Sequence, residues 1–185
     1  MPGFTIHIAI AKQYMKKHEQ EIKDEQEFIK GAIAPDLNEE MNGNAEDKNK
    51  THYGKWGHYE VVTNIDEFLK DSKADMQQDY WKGYFIHLLA DYYFYNDENC
   101  FKKEYEEMKK NNDKFYNDFD CLNKVLMEKY QVEPLECVKK YMRMYDGDPK
   151  YLKKFKMMDF IEKISDKSIN ETSEIIMQKR MEGLE

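Results

Sequence analysis

Apolar residues recur at three- and four-residue spacing along nearly the whole chain, with charged residues between them. That period marks amphipathic helices. Ile8, Ala11, Tyr14 and Met15 form the first stripe and predict a helix capped by Thr5 and running to about His18. A second helix is predicted to begin near Asp24, where Asp24 and Glu25 suit the positive end of the helix dipole. It carries Phe28, Ile29, Ala32 and Ile33 and is expected to stop at Pro35, because the residue before a proline avoids the helical region. Residues 38–51 are almost wholly polar and read as the one long loop, a length that in a compact domain is often functional. A third helix is expected from about Trp56 to Ser72, with Val61, Ile65, Phe68 and Leu69 as its apolar face.

The pattern changes between Asp79 and Tyr95. Tyr80, Trp81, Tyr84, Phe85, Ile86, Leu88, Leu89, Tyr92, Tyr93 and Phe94 put apolar side chains on every side, which predicts a central buried helix. Beyond residue 98, four further helices are expected, with breaks near Asn111-Asn112, Glu133-Pro134, Asp146-Gly147-Asp148-Pro149 and Asp166-Lys167. The stripes Phe115/Phe119/Leu122/Leu126 and Phe155/Met158/Phe160/Ile161/Ile164 read as core. No β-alternation, internal repeat or low-complexity tract stands out. The expectation is one all-α domain over residues 1–185, a compact multi-helix bundle.

A chain of 185 residues with 41% hydrophobic and 14% aromatic content can bury a real core without disulfides. The net charge of −8 argues against non-specific nucleic-acid binding, which needs lysine and arginine to neutralise phosphates, and against a strongly anionic membrane surface. Cys100, Cys121 and Cys137 are odd in number and far apart, so reduced thiols in a cytoplasmic protein are expected. The first residues lack a basic segment followed by an apolar run, and no stretch reaches the length of a membrane span.

Only five histidines are present, and three of them lie beside carboxylates in otherwise apolar segments. His87 and Asp91 are four residues apart on the buried helix, so they share one face. A buried charge is costly unless paired or bound to a metal. One helix therefore offers two ligands to a single ion. Asp36, just past the second helix, and His52, just past the polar loop, are the candidates to complete a four-coordinate zinc. His7, on the first helix, would join Asp91 around a second ion if that carboxylate bridges. Zinc with an open position lowers the pKa of bound water toward about 7 and polarises a phosphoryl oxygen. His18, in a Lys/Glu-rich stretch, reads as solvated, and His58 as a cap neighbour or supporting residue.

The segments Met1–His7, Phe28–Asp36, Thr51–Tyr53 and Tyr80–Asp91 resemble the bacterial zinc-dependent phospholipase C family. The resemblance covers about residues 1–96, the metal-site half, and leaves 97–185 as a helical C-terminal half. It implies an all-helical fold like that of the S1/P1 nucleases and hydrolysis of phosphoesters at a zinc cluster. Asp36, His52, His87 and Asp91 would hold the first zinc, His7 would share Asp91 with another, and Asp36 would serve as base or orienter for the attacking water. Family members continue after the aspartate with another histidine and an HxxxE pair. Here Tyr92-Tyr93-Phe94-Tyr95-Asn96 follows, and no histidine occurs after His87.

The expected function is thus a zinc-dependent, phospholipase C-like hydrolase of a small-molecule or lipid phosphoester, with one or two ions, zinc or another divalent metal. The alternative is a non-catalytic relative that keeps metal for folding or for binding a ligand or partner. A phosphohydrolase that needs a contiguous His-Asp pair is disfavoured, because the chain has no such dipeptide. Tyr53, Trp56, Trp81, Tyr84 and Tyr95 are candidates to line a substrate pocket, and Lys55 to contact phosphate.

Overall fold

The computed structural model describes residues 3–37, 49–54, 63–71 and 73–181, and among these the regular structure is entirely helical. Helix α1 (Phe4–Lys17) starts two residues earlier than the pattern suggests. Gly3 is its N-cap, and Thr5 lies buried inside the helix instead of capping it. Phe4 is the reason: its ring is buried and packs against Tyr141, extending the apolar face toward the N-terminus.

Helix α2 (Glu25–Ile33) is capped as expected, with the Asp24 carboxylate accepting the backbone N–H groups of Gln26 and Glu27. Pro35 does not end the helical path outright. A 3₁₀ turn, Ala34–Asp36, continues it, since proline is tolerated in a first turn where its missing N–H has no partner to lose. Residues 38–48, 55–62 and 72 lie outside the described residues, as therefore do most of the polar loop and the candidates Lys55, Trp56 and His58. Within the predicted 56–72 helix, the described residues form helix α3 over Ile65–Lys70 only. Thr63 and Asn64 are not helical; Asn64 is the N-cap of α3, its side chain accepting the Glu67 N–H.

Helix α4 (Asp79–Asn96) matches its prediction closely and is buried along most of its length. It is followed by α5 (Lys102–Lys110), α6 (Tyr116–Tyr130), a 3₁₀ turn (Lys139–Tyr141), α7 (Lys154–Ser165) and α8 (Ile169–Met181). Between Glu133-Pro134 and Asp146 the chain makes only that 3₁₀ turn. The second core stripe is borne out in part: Phe160, Ile161 and Ile164 are buried, Met158 is half-buried, Phe155 is 82% exposed, and Met157 takes the core position instead. Phe155 precedes Met157 by two residues, which places it roughly 200° around the helix from the buried face.

The closest packing is between α2 and α4, and two glycines permit it. A Cβ on Gly31 would lie 1.9 Å from the Tyr80 carbonyl oxygen, and one on Gly83 would lie 2.0 Å from the Phe28 carbonyl oxygen. The two backbones touch at these points. Helix α1 lies against α2, α6 and α7. Apolar residues from both halves of the chain join one core cluster that includes Phe4, Phe28, Phe85, Phe94, Phe115, Phe160 and Ile169.

Two buried carboxylates pin loops to this frame. Asp79 accepts the N–H groups of Lys23 and Asp24 at 2.8 and 2.7 Å and the Lys82 ammonium at 3.0 Å, tying the approach to α2 onto α4. Asp118 accepts three successive backbone N–H groups, from Lys150, Tyr151 and Leu152.

Candidate metal centre

Four elements bring His7, Asp36, His52, His87 and Asp91 together. His7 comes from the second turn of α1, Asp36 from the 3₁₀ turn, His52 from the turn after the helical residues 49–51, and His87 and Asp91 from adjacent turns of α4. Asp36 is 7% exposed and the other four are at 1% or less. His18 is not part of the cluster. Nor is it solvated as its sequence context implies: its ring stacks on Tyr14 at 4.3 Å, and Nε2 lies 3.1 Å from the Ser165 carbonyl oxygen.

Around His52 and His87 the side chains lie close enough for His52, His87 and Asp91 to share one cation. His52 Nε2 lies 3.2 Å from His87 Nε2, 3.5 Å from Asp36 Oδ1 and 3.3 Å from Asp91 Oδ2. His87 Nε2 lies 3.9 Å from Asp36 Oδ1 and 3.8 Å from Asp91 Oδ2. Four ligands at zinc-like bond lengths of about 2.0–2.1 Å around a tetrahedral ion are roughly 3.3–3.4 Å from one another. The second oxygen of each carboxylate faces His7. Its Nε2 is 3.5 Å from Asp91 Oδ1 and 4.0 Å from Asp36 Oδ2, and its ring stacks on His87 with centroids 3.7 Å apart.

Hydrogen bonding orients the ligating atoms. The Ala32 carbonyl can only accept, so His87 Nδ1 carries a proton and donates to it at 2.8 Å. That turns the unprotonated Nε2 toward His52 and the carboxylates. Burial outweighs the opposing pull of Asp36 and Asp91 and holds His87 below its ordinary pKa, so the ring is neutral. Burial also lowers His7, to about 3, and the nearby His87 acts in the same direction. Burial alone would lower His52, but the close approach of the Asp36 and Asp91 carboxylates outweighs it and raises it to about 9. Burial alone would raise both carboxyls. For Asp36 the nearby His87 and His52 imidazoles outweigh it, and for Asp91 the nearby His52 and His87, so both stay below the ordinary carboxylate pKa.

These groups fit a divalent cation. Both nitrogens of His7, both oxygens of Asp91 and Oδ1 of Asp36 are buried with no hydrogen-bond partner. Such orphans are costly in a protein interior. Two imidazole nitrogens 3.2 Å apart, flanked by two carboxylates, need a positive charge between them. A proton on His52 supplies one such charge and leaves one carboxylate uncompensated. One dication would balance the two carboxylates fully. Two overlapping groups have ligand atoms within 4.8 Å of one another: His52, His87 and Asp91, and His7, Asp36 and His87.

Sequence reasoning missed the scaffold around this cluster. The Tyr84 hydroxyl donates to the Thr51 carbonyl, Thr51 Oγ1 lies 3.0 Å from His52 Nδ1, and Asn64 N–H donates to the His52 carbonyl at 3.1 Å. Tyr53, directly after His52, takes the left-handed conformation at φ 56°, which is uncommon for a tyrosine, and its hydroxyl donates to Asp71 at 2.8 Å. Of the aromatic pocket candidates, Tyr84 is buried and Tyr53, Trp81 and Tyr95 are half-buried. Tyr53, Tyr84 and Trp81 pack around Phe68. A glycine inside a helix was the available signal for the α2–α4 contact, since it marks close backbone approach.

No family model, curated protein or solved structure matches the chain significantly.

Proposed function

We propose that the protein is a metal-dependent hydrolase of a phosphoester, similar in chemistry to the zinc-dependent phospholipase C family. The observation that carries this reading is the convergence of three imidazoles and two carboxylates in one buried cluster, at separations of 3.2–4.0 Å. Asp36, His52, His87 and Asp91 would hold one dication, and zinc suits this mixture of nitrogen and oxygen donors. His7 faces the free oxygen of each carboxylate and would take part in a second ion's shell. When bound, such an ion supplies an acidified water and polarises a phosphoryl oxygen. The protein's own part is orientation and charge. Ala32 fixes the His87 tautomer, and the low pKa of Asp36 and Asp91 keeps both carboxylates ionised near neutral pH. Asp36 is the most exposed of the five and so the one placed to accept a hydrogen bond from an attacking water. Among the described residues no helix is long and apolar enough to cross a membrane. Three free cysteines are in keeping with a reducing cytoplasm as its location.

Metal content and turnover test this together. Purified protein should carry close to one equivalent or more of zinc, iron or manganese and should hydrolyse a chromogenic phosphodiester. The His87→Ala, Asp91→Ala double variant should lose both. A metal content below half an equivalent, or one unchanged in the double variant, would refute the reading. Burial of all five residues favours a second reading, a metal kept for folding alone. Metal that raises the melting temperature with no turnover of phosphodiester, phosphomonoester or phospholipid would establish it instead.

A further inference from the structure

His87 and His52 are both turned toward the cluster through Nε2, but different kinds of group hold them. For His87 the acceptor is a main-chain carbonyl on α2, which substitution cannot remove. For His52 it is a side chain, Thr51 Oγ1, 3.0 Å from Nδ1. A hydroxyl accepts as well as donates. With Nδ1–H donating to Thr51, the Nε2 lone pair is left for an ion. With the other tautomer, Nε2–H would point at the ion's position and exclude it.

Thr51 is itself fixed. The Tyr84 hydroxyl on α4 donates to its carbonyl, three residues before His87 on the same helix. The turn carrying one ligand is thereby fastened to the helix carrying two others. We propose that Thr51 is a positioning residue for the metal centre: its hydroxyl accepts from His52 Nδ1–H when an ion takes Nε2, and so helps set the affinity for the ion. This rests on the metal-centre reading above. It assigns Thr51 no contact with substrate.

The test is zinc affinity, measured by competition with a chromophoric chelator, on wild type, Thr51→Val and Thr51→Ser. Valine keeps the size and β-branching but cannot accept a hydrogen bond; serine keeps the hydroxyl. Loss of a hydrogen-bond partner behind a ligating histidine typically weakens metal binding about 10- to 100-fold. Thr51→Val should fall in that range, and Thr51→Ser should stay within about threefold of wild type. The visible spectrum of the cobalt-substituted protein should also change in the valine variant, because one imidazole ligand is weakened. Melting of the metal-free proteins guards against a folding artefact, and Thr51→Ala serves if the valine variant does not fold. Equal zinc affinity in wild type and Thr51→Val would overturn the proposal. So would an equal loss in the serine and valine variants, which would assign the effect to packing. A wild-type protein that binds no zinc would instead overturn the metal-centre reading.

Discussion

Replacing Gly83 by alanine should destabilise the protein, although the same change in an ordinary helix interior stabilises by about 1 kcal/mol. Gly83 sits where α4 meets α2, and a methyl group there would lie 2.0 Å from the Phe28 carbonyl oxygen and 2.9 Å from the Ala32 nitrogen. Both are backbone atoms, so no side chain can swing aside. The helices would have to separate by more than about 1 Å, and overpacking of this kind costs about 1–3 kcal/mol beyond the lost propensity gain. The same crossing carries the 2.8 Å bond from His87 Nδ1 to Ala32, so the separation would also pull His87 out of the cluster. Urea unfolding of the metal-free protein should show a net loss of about 2 kcal/mol, and zinc affinity should fall. Gly31→Ala, 1.9 Å from the Tyr80 carbonyl, should behave alike. If Gly83→Ala unfolds at the wild-type midpoint or above it, the argument from backbone contact is wrong.

The other predictions use separate parts of the molecule. Asp79 is held below its ordinary pKa of 3.8 because hydrogen bonds from Asp24, Lys82 and Lys23 outweigh the opposing effect of burial. Its contribution should be complete above that value and vanish as pH falls through the folded-state value. Asp79→Asn should therefore cost about 2 kcal/mol near neutral pH and progressively less as pH falls below Asp79's ordinary 3.8, read by unfolding at several pH values. Phe155→Ser should shift stability by less than about 0.5 kcal/mol, as for an exposed site, whereas a core phenylalanine would cost about 3–5 kcal/mol. Chelation should lower the melting temperature, and restored zinc should raise it with concentration as mass action requires. A melting temperature indifferent to both would count against an ion in the folded state.

Much of the fold is legible in the residues. The apolar residues between Tyr80 and Phe94 fall on every side of a helix, which reads as a buried one, and α4 is that helix. Asp24 announces the start of α2 because its carboxylate has N–H groups to cap. Phe155 misleads because spacing alone cannot say which side of a helix faces the core, and Met157 sets that side. Thr5 has the right chemistry for a cap, but burial of Phe4 shifts the helix start past it. The five cluster residues stand out because a buried histidine or aspartate needs a partner, yet nothing local says that they meet. Contacts between distant segments decide that, as do Thr51 and Tyr84, whose supporting roles exist only in three dimensions.

The central claim is that His52, His87, Asp36 and Asp91 surround one cation. Anomalous diffraction at the zinc edge tests it most directly, on crystals of protein purified without added metal. The account predicts a peak within about 2.0–2.2 Å of His52 Nε2, His87 Nε2 and an oxygen of each carboxylate. A map with no peak inside the cluster, in protein that elemental analysis shows to be free of iron, manganese and other divalent metals, would contradict it.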